Sequence, residues 1–188
     1  MVKIRKLLRP AIVLFAAMTI LCGGVYTAAV TGVAQWLFPA QANGSVITAT
    51  MPDGTQREYG SELYAQAFTK PEYLIGRPMG ATNLSTVSDK QAELVAERIA
   101  WWRAFDPENT QDIPQDLVTA SGSGVDPHIS PAAAEFQVAR IAKARNVDEA
   151  EVRKIIADCT SGRLLGFLGE PGVNVLKVNL RLDGLAEP

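Results

Sequence analysis

The chain has 188 residues, of which 18 are lysine or arginine and 20 are aspartate or glutamate, so its net charge is −2. This length suits a single hydrophobic core. All the acids lie beyond residue 52, and outside the N-terminal tail 14 basic residues face 20 acidic ones, a balance that disfavours nucleic acid as a partner.

An uncharged stretch is the first element of the chain. There is no charged side chain between Pro10 and Pro52. The tail before it carries four basic residues, Lys3, Arg5, Lys6 and Arg9. An apolar run of about 20 residues crosses a bilayer, and basic residues stay on the cytoplasmic side. We therefore predict a basic cytoplasmic tail (residues 1–10), a transmembrane helix (11–38) and a periplasmic or extracellular domain (39–188).

A cleaved signal peptide is the alternative, because residues 40–42 (Ala-Gln-Ala) have the small side chains of a cleavage site. A signal peptide has an apolar core of about 7–15 residues, whereas this run extends from Ala11 to Phe38. Trp36 and Phe38 lie at its far end, where an aromatic belt meets the outer membrane–water interface. The pattern therefore favours a retained, single-pass anchor.

Small residues recur every fourth position within the predicted span, at Gly24, Ala28 and Gly32. Residues spaced in this way share one helical face, and small side chains let helices approach closely in lipid. We predict that this face packs against a helix of a membrane partner. One helix cannot form a pore by itself, and this one holds no ionisable group that could mark an ion path.

The remaining sequence predicts an α+β fold, a single mixed helix and strand domain after the span. Capping residues and helical periodicity predict helices over residues 61–68, 88–105, 131–145 and 148–159. Strand patterns cover residues 45–50, leading into a turn at 52–54, and residues 173–180. Residues 40–44 are a short linker, residues 73–80 are irregular, and residues 112–131 form loops with one helical turn at 115–118.

The helices on either side of residue 146 allow a helix-turn-helix DNA reader as an alternative. The acidic balance beyond the span and the predicted outer location both oppose a DNA reader. We therefore expect no nucleic acid partner.

Residues 116–133 form a loop-rich segment with unusual chemistry. Gly122 and Gly124 permit a positive φ or a close backbone approach, and such a loop can also cup an anion with its N–H groups. Ser123, Asp126 and His128 allow a hydrolase triad as an alternative. The sequence lacks the Gly-x-Ser-x-Gly turn between a strand and a helix, so a hydrogen-bonded structural loop is the favoured interpretation.

Cysteine and histidine are too few to build a disulfide or a metal centre outside the span. Cys22 lies within the apolar run, and Cys159 is the single cysteine beyond it. Cys159 and His128 are the only soft ligands of the outer domain, whereas a structural zinc site needs about four. We therefore expect no bound metal.

Three segments carry a family resemblance, namely residues 60–78, 116–133 and 166–180. Together with the basic N-terminus and the single span, they resemble the C subunit of the bacterial Kdp potassium-transporting ATPase, the high-affinity potassium pump. The resemblance covers nearly the whole chain. Residues 83–115 match the family pattern least.

The resemblance implies a non-catalytic, accessory subunit of an inner-membrane complex. The implied partners are a potassium-channel-like subunit, a P-type ATPase subunit that hydrolyses ATP, and a small single-helix subunit, all within membrane lipid. The family is described as chaperone-like, raising the ATP affinity of the hydrolysing subunit, and nucleotide binding is attributed to it.

The residues themselves argue against direct nucleotide contact. The sequence has no Gly-x-x-x-x-Gly-Lys-Ser/Thr loop, and the predicted domain lies across the bilayer from cytoplasmic ATP. We therefore expect no cofactor to bind this chain directly, although the complex uses ATP and potassium ion, and we expect coupling through the span.

Eight residues of the resembling segments are the candidate interface or structural loop: Ser121, Gly122, Ser123, Gly124, Asp126, His128, Glu170 and Asn174. The competing hypothesis is a membrane-anchored hydrolase or solute-binding domain that uses Ser123, Asp126 and His128.

Overall fold

The apolar N-terminus forms one long helix, and a mixed helix and strand domain follows it, so the predicted fold class is confirmed. The structure is a computed structural model that describes residues 4–51 and 53–185. The chain divides into two compact units, with the boundary between Ser45 and Val46. Lys3 of the predicted tail and Pro52 of the predicted turn lie outside the described residues.

The first unit is almost entirely helical. It contains α1 (Ile4–Met18), a π-helical stretch (Thr19–Tyr26), α2 (Thr27–Leu37) and the short α3 (Pro39–Ala42). From Lys6 to Leu37 the helix is 32 residues long, apolar enough to cross a membrane, and none of its most apolar window is buried. An apolar helix with no protein cover is suited to a lipid environment.

A β-hairpin opens the second unit. Strands β1 (Val46–Thr50) and β2 (Gln56–Ser61) pair antiparallel, with a bulge between Ile47 and Thr48. The Asp53 carboxylate accepts a hydrogen bond from the Thr55 amide at 2.9 Å, which fixes the turn as an Asx turn.

The rest of the second unit surrounds a small antiparallel sheet. The helices are α4 (Asp89–Phe105), α5 (Pro131–Glu135), α6 (Val138–Arg145), α7 (Glu149–Asp158) and α8 (Val175–Leu182), with a 3₁₀ turn at Gln115–Leu117. The strands β3 (His128–Ile129), β4 (Thr160–Ser161) and β5 (Gly172–Asn174) take the order β3-β5-β4. This sheet is short, so side chains rather than strand ladders fix most of the loops.

Local capping explains where several helices begin. The predicted caps are confirmed at α5, where Ser130 Oγ accepts from the Ala133 amide at 3.1 Å, and at α7, where Asp148 Oδ1 accepts from the Ala150 amide at 3.0 Å. These bonds satisfy amides that have no partner inside the helix.

Helix α8 links the two hydrophobic clusters of the second unit. Val175 and Val178 belong to the main core, whereas Leu176 and Leu180 pack with Ile47 of the hairpin. Because α8 presents apolar side chains in both directions, it holds the hairpin against the rest of the domain.

A buried set of polar side chains fixes residues 71–75, which we call the pinned segment. Asn179 Oδ1 accepts from the Leu74 amide at 2.7 Å, and Asn179 Nδ2 donates to the Leu74 carbonyl at 2.9 Å. Gln137 makes the same two-point contact with the backbone of Ile75, with both distances 2.9 Å. The side-chain amides of Asn179 and Gln137 therefore make the backbone hydrogen bonds that a neighbouring strand would otherwise make.

Arg140 completes the attachment of the pinned segment. Its guanidinium donates to the carbonyls of Pro71 and Tyr73 and to Gln137 Oε1, and it lies over the Phe105 ring, 5.1 Å from the ring centroid. Burial lowers the pKa of Arg140 to about 10, so the side chain remains charged at neutral pH.

The predicted helix over residues 61–68 is wrong. Ser61 Oγ accepts from the Leu63 amide at 3.1 Å, which makes a local turn, and residues 65–69 have no regular secondary structure. Gln66 Nε2 donates back to the Tyr59 carbonyl at 2.6 Å. The cap-like serine thus supports a turn, which serine side chains do as readily as they begin a helix.

The predicted strand over residues 173–180 is also wrong beyond its first residues. Strand β5 ends at Asn174, whose side chain accepts from the Lys177 amide at 3.1 Å and begins α8. The apolar residues fit helical spacing as well as alternation, and burial on two sides favours the helix.

Two other predictions need smaller corrections. The predicted helix over residues 131–145 is broken at Phe136 and Gln137, which frees Gln137 to hold the pinned segment. The predicted linker over residues 40–44 contains most of the short helix α3.

Candidate functional site

The candidate site is built around residues 121–128, which we call the glycine-rich loop. It follows the 3₁₀ turn and leads into β3, where His128 pairs with Asn174 of β5 in the strand register. The Ala65 amide donates to the Val125 carbonyl at 2.9 Å, and the Val175 amide donates to the Pro127 carbonyl at 3.1 Å. Both faces of the loop are therefore attached to the domain.

Gly124 is the position in this loop that requires glycine. Its φ is +72°, and a Cβ atom there would lie 2.3 Å from the backbone nitrogen of Ala81. The Gly80 amide donates to the Gly124 carbonyl at 2.9 Å, which explains the close approach. A Cβ at Gly122 would meet nothing within 4 Å, so that glycine is not required for space.

The side chains of the loop bond to its own backbone, as the sequence predicts. Ser121 Oγ accepts from the Gly124 amide at 3.0 Å, Ser123 Oγ from the Val125 amide at 3.2 Å, and Asp126 Oδ1 from the His128 amide at 3.0 Å. Because these amides are engaged inside the loop, they are not aimed outward, and the geometry gives no support to an anion-cupping loop.

Asp126 and His128 lie side by side in the wall of a surface cavity of about 670 Å³. The His128 Nδ1 and Asp126 Oδ1 atoms are 3.5 Å apart, and both side chains are about one-third exposed. Glu170 lines the same cavity, so the structure brings together three of the predicted site residues.

Sequence reasoning missed two further cavity residues, Arg77 and Asp116. The Arg77 guanidinium donates to the Ala120 carbonyl at 3.3 Å, and Asp116 accepts from the amide of Ser130 at 2.6 Å and from its hydroxyl at 3.2 Å. Each residue bonds to a group far along the chain, so no local spacing in the sequence could have indicated these contacts.

The geometry does not form a hydrolase triad. Ser123 Oγ lies 3.3 Å from Ser121 Oγ and bonds to the Val125 amide, and within the described loop no hydrogen bond joins it to His128. A serine nucleophile needs its hydroxyl within hydrogen-bond reach of the base. The site therefore lacks the contact on which acyl transfer depends.

Glu170 and Asn174 have different surroundings. The Glu170 carboxylate is exposed and pairs with the Arg163 guanidinium at 2.8 Å. Asn174 is buried, caps α8, and donates to the Glu62 carbonyl at 2.9 Å. Asn174 is thus part of the framework, whereas Glu170 faces solvent beside the cavity.

The described residues contain no group of three or more histidine, cysteine, aspartate or glutamate side chains placed to hold a metal ion. Cys22 is exposed and Cys159 is buried, and no disulfide joins them.

The small residues of the span lie on two kinds of helix. Gly24 is in the π-helical stretch, where Thr27 Oγ1 donates to the Cys22 carbonyl five residues back at 2.9 Å, while Ala28 and Gly32 are in α2. A Cβ at Gly24 or Gly32 would meet nothing within 4 Å. Because the helix type changes between Gly24 and Ala28, the three small residues do not have the regular angular spacing of a uniform α-helix.

Comparisons with known proteins identify the family. The sequence profile described as "KdpC: K+-transporting ATPase, c chain" matches residues 8–184. A potassium-transporting ATPase KdpC subunit of Listeria monocytogenes is 53% identical, with 98% of this chain and 99% of the relative covered.

Relatives from two other genera are also matched over nearly their whole length. KdpC subunits of Sorangium cellulosum and Rhodospirillum rubrum are 49% and 50% identical over 94% and 95% of this chain, and the matches cover 97% and 95% of the two relatives. The chain belongs to the KdpC family, the c chains of K⁺-transporting ATPases.

Proposed function

We propose that this chain is an accessory subunit of an ATP-driven potassium import complex, held in the membrane by one helix and supporting assembly and stability of the complex. The observation that carries the proposal is the match of residues 8–184 to the family, together with relatives of the same length that are named as subunits of a potassium-transporting ATPase.

The chemistry of the chain supports a non-catalytic role. The apolar helix has no aspartate, glutamate, histidine, lysine or arginine after Arg9, so it offers no ion path. In the glycine-rich loop, Ser123 does not reach His128. Conduction and ATP hydrolysis would then belong to the partners, which we propose are a channel-like subunit, a P-type ATPase subunit and a small single-helix subunit.

We propose the following topology. Residues 1–10 are a cytoplasmic tail, residues 11–38 cross the inner membrane, and residues 39–188 lie on the periplasmic or extracellular side, because basic residues resist translocation. In a Cys22→Ala background, a membrane-impermeant maleimide should label Val87→Cys in whole cells, because Val87 is 89% exposed. Lys6→Cys is the matched control and should be labelled only after lysis. Labelling of Lys6→Cys alone in whole cells would reverse the topology.

The row Gly24, Ala28 and Gly32 is the proposed contact with a membrane partner. Nothing within 4 Å of the added Cβ atoms at Gly24 and Gly32 blocks a neighbouring helix. The double variant Gly24→Leu, Gly32→Leu should weaken co-purification of the complex at least several-fold. The matched control is Gly23→Leu with Ala29→Leu, which adds nearly the same bulk off the row. Equal loss in both variants would reject a specific packing face.

We also propose that the subunit raises the ATP affinity of the ATPase subunit through the span rather than by binding nucleotide. The described domain has no phosphate-binding loop, and ATP lies across the bilayer in the proposed topology. Substitutions in the row Gly24, Ala28 and Gly32 that still allow assembly should raise the ATP KM of the complex. Crosslinking of an ATP analogue to this chain in the intact complex would overturn the proposal.

The glycine-rich loop, with Glu170, is the proposed docking surface for a partner domain. The partly exposed side chains of Asp126 and His128 and the exposed side chain of Glu170 line the cavity of about 670 Å³. The same cavity favours the competing function, a solute-binding or hydrolytic outer domain. Ester hydrolysis by the purified chain, abolished by Ser123→Ala, would favour the enzyme, whereas absence of hydrolysis with normal assembly supports the docking surface.

A further inference from the structure

The hairpin between β4 and β5 has an unusually apolar tip. Leu164, Leu165, Phe167 and Leu168, which we call the apolar tip, are 69%, 77%, 68% and 48% exposed. Four large apolar side chains within five residues form a contiguous patch. Such patches mark contacts with a membrane or with another protein.

The backbone of the tip is already hydrogen-bonded within itself. Leu164 and Leu168 exchange two backbone hydrogen bonds of 2.9 and 3.0 Å. The Gly166 amide donates to the Arg163 carbonyl at 3.1 Å, and the Phe167 amide donates to the Leu164 carbonyl at 3.3 Å. Non-aqueous surroundings demand such internal satisfaction, because lipid offers no replacement for water.

The charges of this hairpin lie at its base. Arg163 and Glu170 form an ion pair at 2.8 Å, and residues 164–169 between them have no charged or polar side chain. The only polar groups of the tip are therefore those of its backbone. A contact with protein normally includes about one hydrogen bond per 100–200 Å², and the tip has no side chain that could make one. An apolar tip above a charged base instead resembles an interfacial membrane anchor.

We propose that the apolar tip inserts into the lipid surface of the membrane that holds the N-terminal helix. The proposal depends on the membrane anchoring proposed above. The short helix α3 (Pro39–Ala42) and residues 43–45 connect the long helix to β1, so the connection is shorter than the roughly 25 Å that seven extended residues would span. This tether gives the domain a high effective concentration at the lipid surface, so a small apolar contact suffices.

The test uses the full chain reconstituted into phosphatidylcholine vesicles, with Cys22 replaced by alanine. Phe167→Cys carries an environment-sensitive NBD label, and Val87→Cys, at a site that is 89% exposed, carries the same label as the control. Lipids with a doxyl quencher near the headgroup should reduce the emission at position 167 about two-fold or more and leave position 87 nearly unchanged.

A second variant separates insertion from folding. Leu165 has a φ of +55°, a conformation that asparagine tolerates better than leucine. Leu165→Asn should therefore leave the thermal unfolding temperature unchanged or raised, while it weakens the quenching at position 167.

The outcomes distinguish this proposal from the anchoring on which it depends. A chain that fails to float with vesicles in a density gradient rejects the membrane anchor itself. A floating chain with equal quenching at both positions, or with none, overturns insertion of the tip. A blue shift at position 167 that occurs only after the other subunits are added would assign the tip to a protein contact and overturn the lipid proposal.

Discussion

The pinned segment (residues 71–75) and the glycine-rich loop (residues 121–128) differ in which side chains bond to their backbone N–H and C=O groups. Both are largely irregular stretches of backbone that lack a full strand ladder. In the pinned segment the backbone groups bond to buried side chains from distant parts of the chain, namely Gln137, Arg140 and Asn179. In the glycine-rich loop the partners are serine and aspartate side chains of the loop itself.

The difference shows how burial decides which kind of partner is needed. Leu74 is fully buried, so its amide and carbonyl have no access to water and depend on Asn179. The side chains of Asp126 and His128 are about one-third exposed, and water can replace a lost contact there. The pinned segment should therefore control stability, while the loop remains available for interaction.

Asn179→Ala should have the largest effect. It leaves both backbone groups of Leu74 buried without a partner, and each unsatisfied group costs about 1–3 kcal/mol. We expect the free energy of unfolding to fall by about 3 kcal/mol in urea denaturation of the detergent-solubilised chain. Asn83→Ala, at an exposed asparagine, is the control and should change it by less than about 0.5 kcal/mol. Equal effects of the two substitutions would contradict the comparison.

Gly124→Ala should have the next largest effect, because it attacks the one point where the glycine-rich loop is tightly packed. The added Cβ would meet the Ala81 nitrogen at 2.3 Å, at a φ of +72°. Overpacking and left-handed strain together suggest a loss of about 2–3 kcal/mol in the free energy of unfolding.

Gly122→Ala, two residues earlier in the same loop, is the matched control. Its added Cβ has no atom within 4 Å, and we expect a change below about 0.5 kcal/mol. Similar losses at both glycines would mean that the loop depends on general flexibility rather than on the Gly80–Gly124 contact.

The sequence predicted the parts of the fold that depend on local signals. Ser130 and Asp148 begin helices because each side chain bonds an amide two or three residues away, a spacing visible in the sequence. The sequence allowed a positive φ or a close backbone approach at Gly122 and Gly124, and the structure has both features at Gly124 alone of these two.

Long-range contacts explain what the sequence could not predict. Asn179 bonds to Leu74 across 105 positions, and Asn179 was assigned to a strand because apolar residues alternate around it. The cavity beside His128 likewise needs Arg77, which approaches the loop only in the folded chain. Local patterns hold no information on such pairs, and apolar spacing near residue 175 is compatible with both helix and strand.

Tyr73→Phe should have a smaller, pH-dependent effect on the pinned segment. The Tyr73 hydroxyl donates to Asp183 Oδ2 at 2.9 Å, and this bond is the main cause that raises the pKa of Tyr73 above its ordinary value of 10.0. Loss of the bond should cost about 1 kcal/mol near pH 8, because Asp183 keeps its ion pair with Arg145.

The sign of the pH dependence follows from the raised pKa. The contribution of the bond is complete below pH 10 and is lost as the pH rises through the higher pKa of the folded state, because the unfolded chain releases the proton first. Urea denaturation of both forms from pH 8 to 11 measures the difference. A difference that widens above pH 10 would show that the tyrosinate, and not the tyrosine, is held by the fold.

His128→Ala should have the smallest effect of all. Its imidazole faces Asp126 at 3.5 Å with about one-third of each side chain exposed, a geometry that contributes at most about 0.5 kcal/mol, and its backbone bonds within β3 remain. Potassium uptake by the assembled complex should change by less than about three-fold, because most single side chains of a docking surface contribute little. Ser123→Ala should behave alike, since its hydroxyl serves only the loop. A ten-fold loss of uptake in a His128→Ala protein with unchanged stability and normal assembly would require chemistry in this loop. The loop and the pinned segment would then differ in function and not only in access to water.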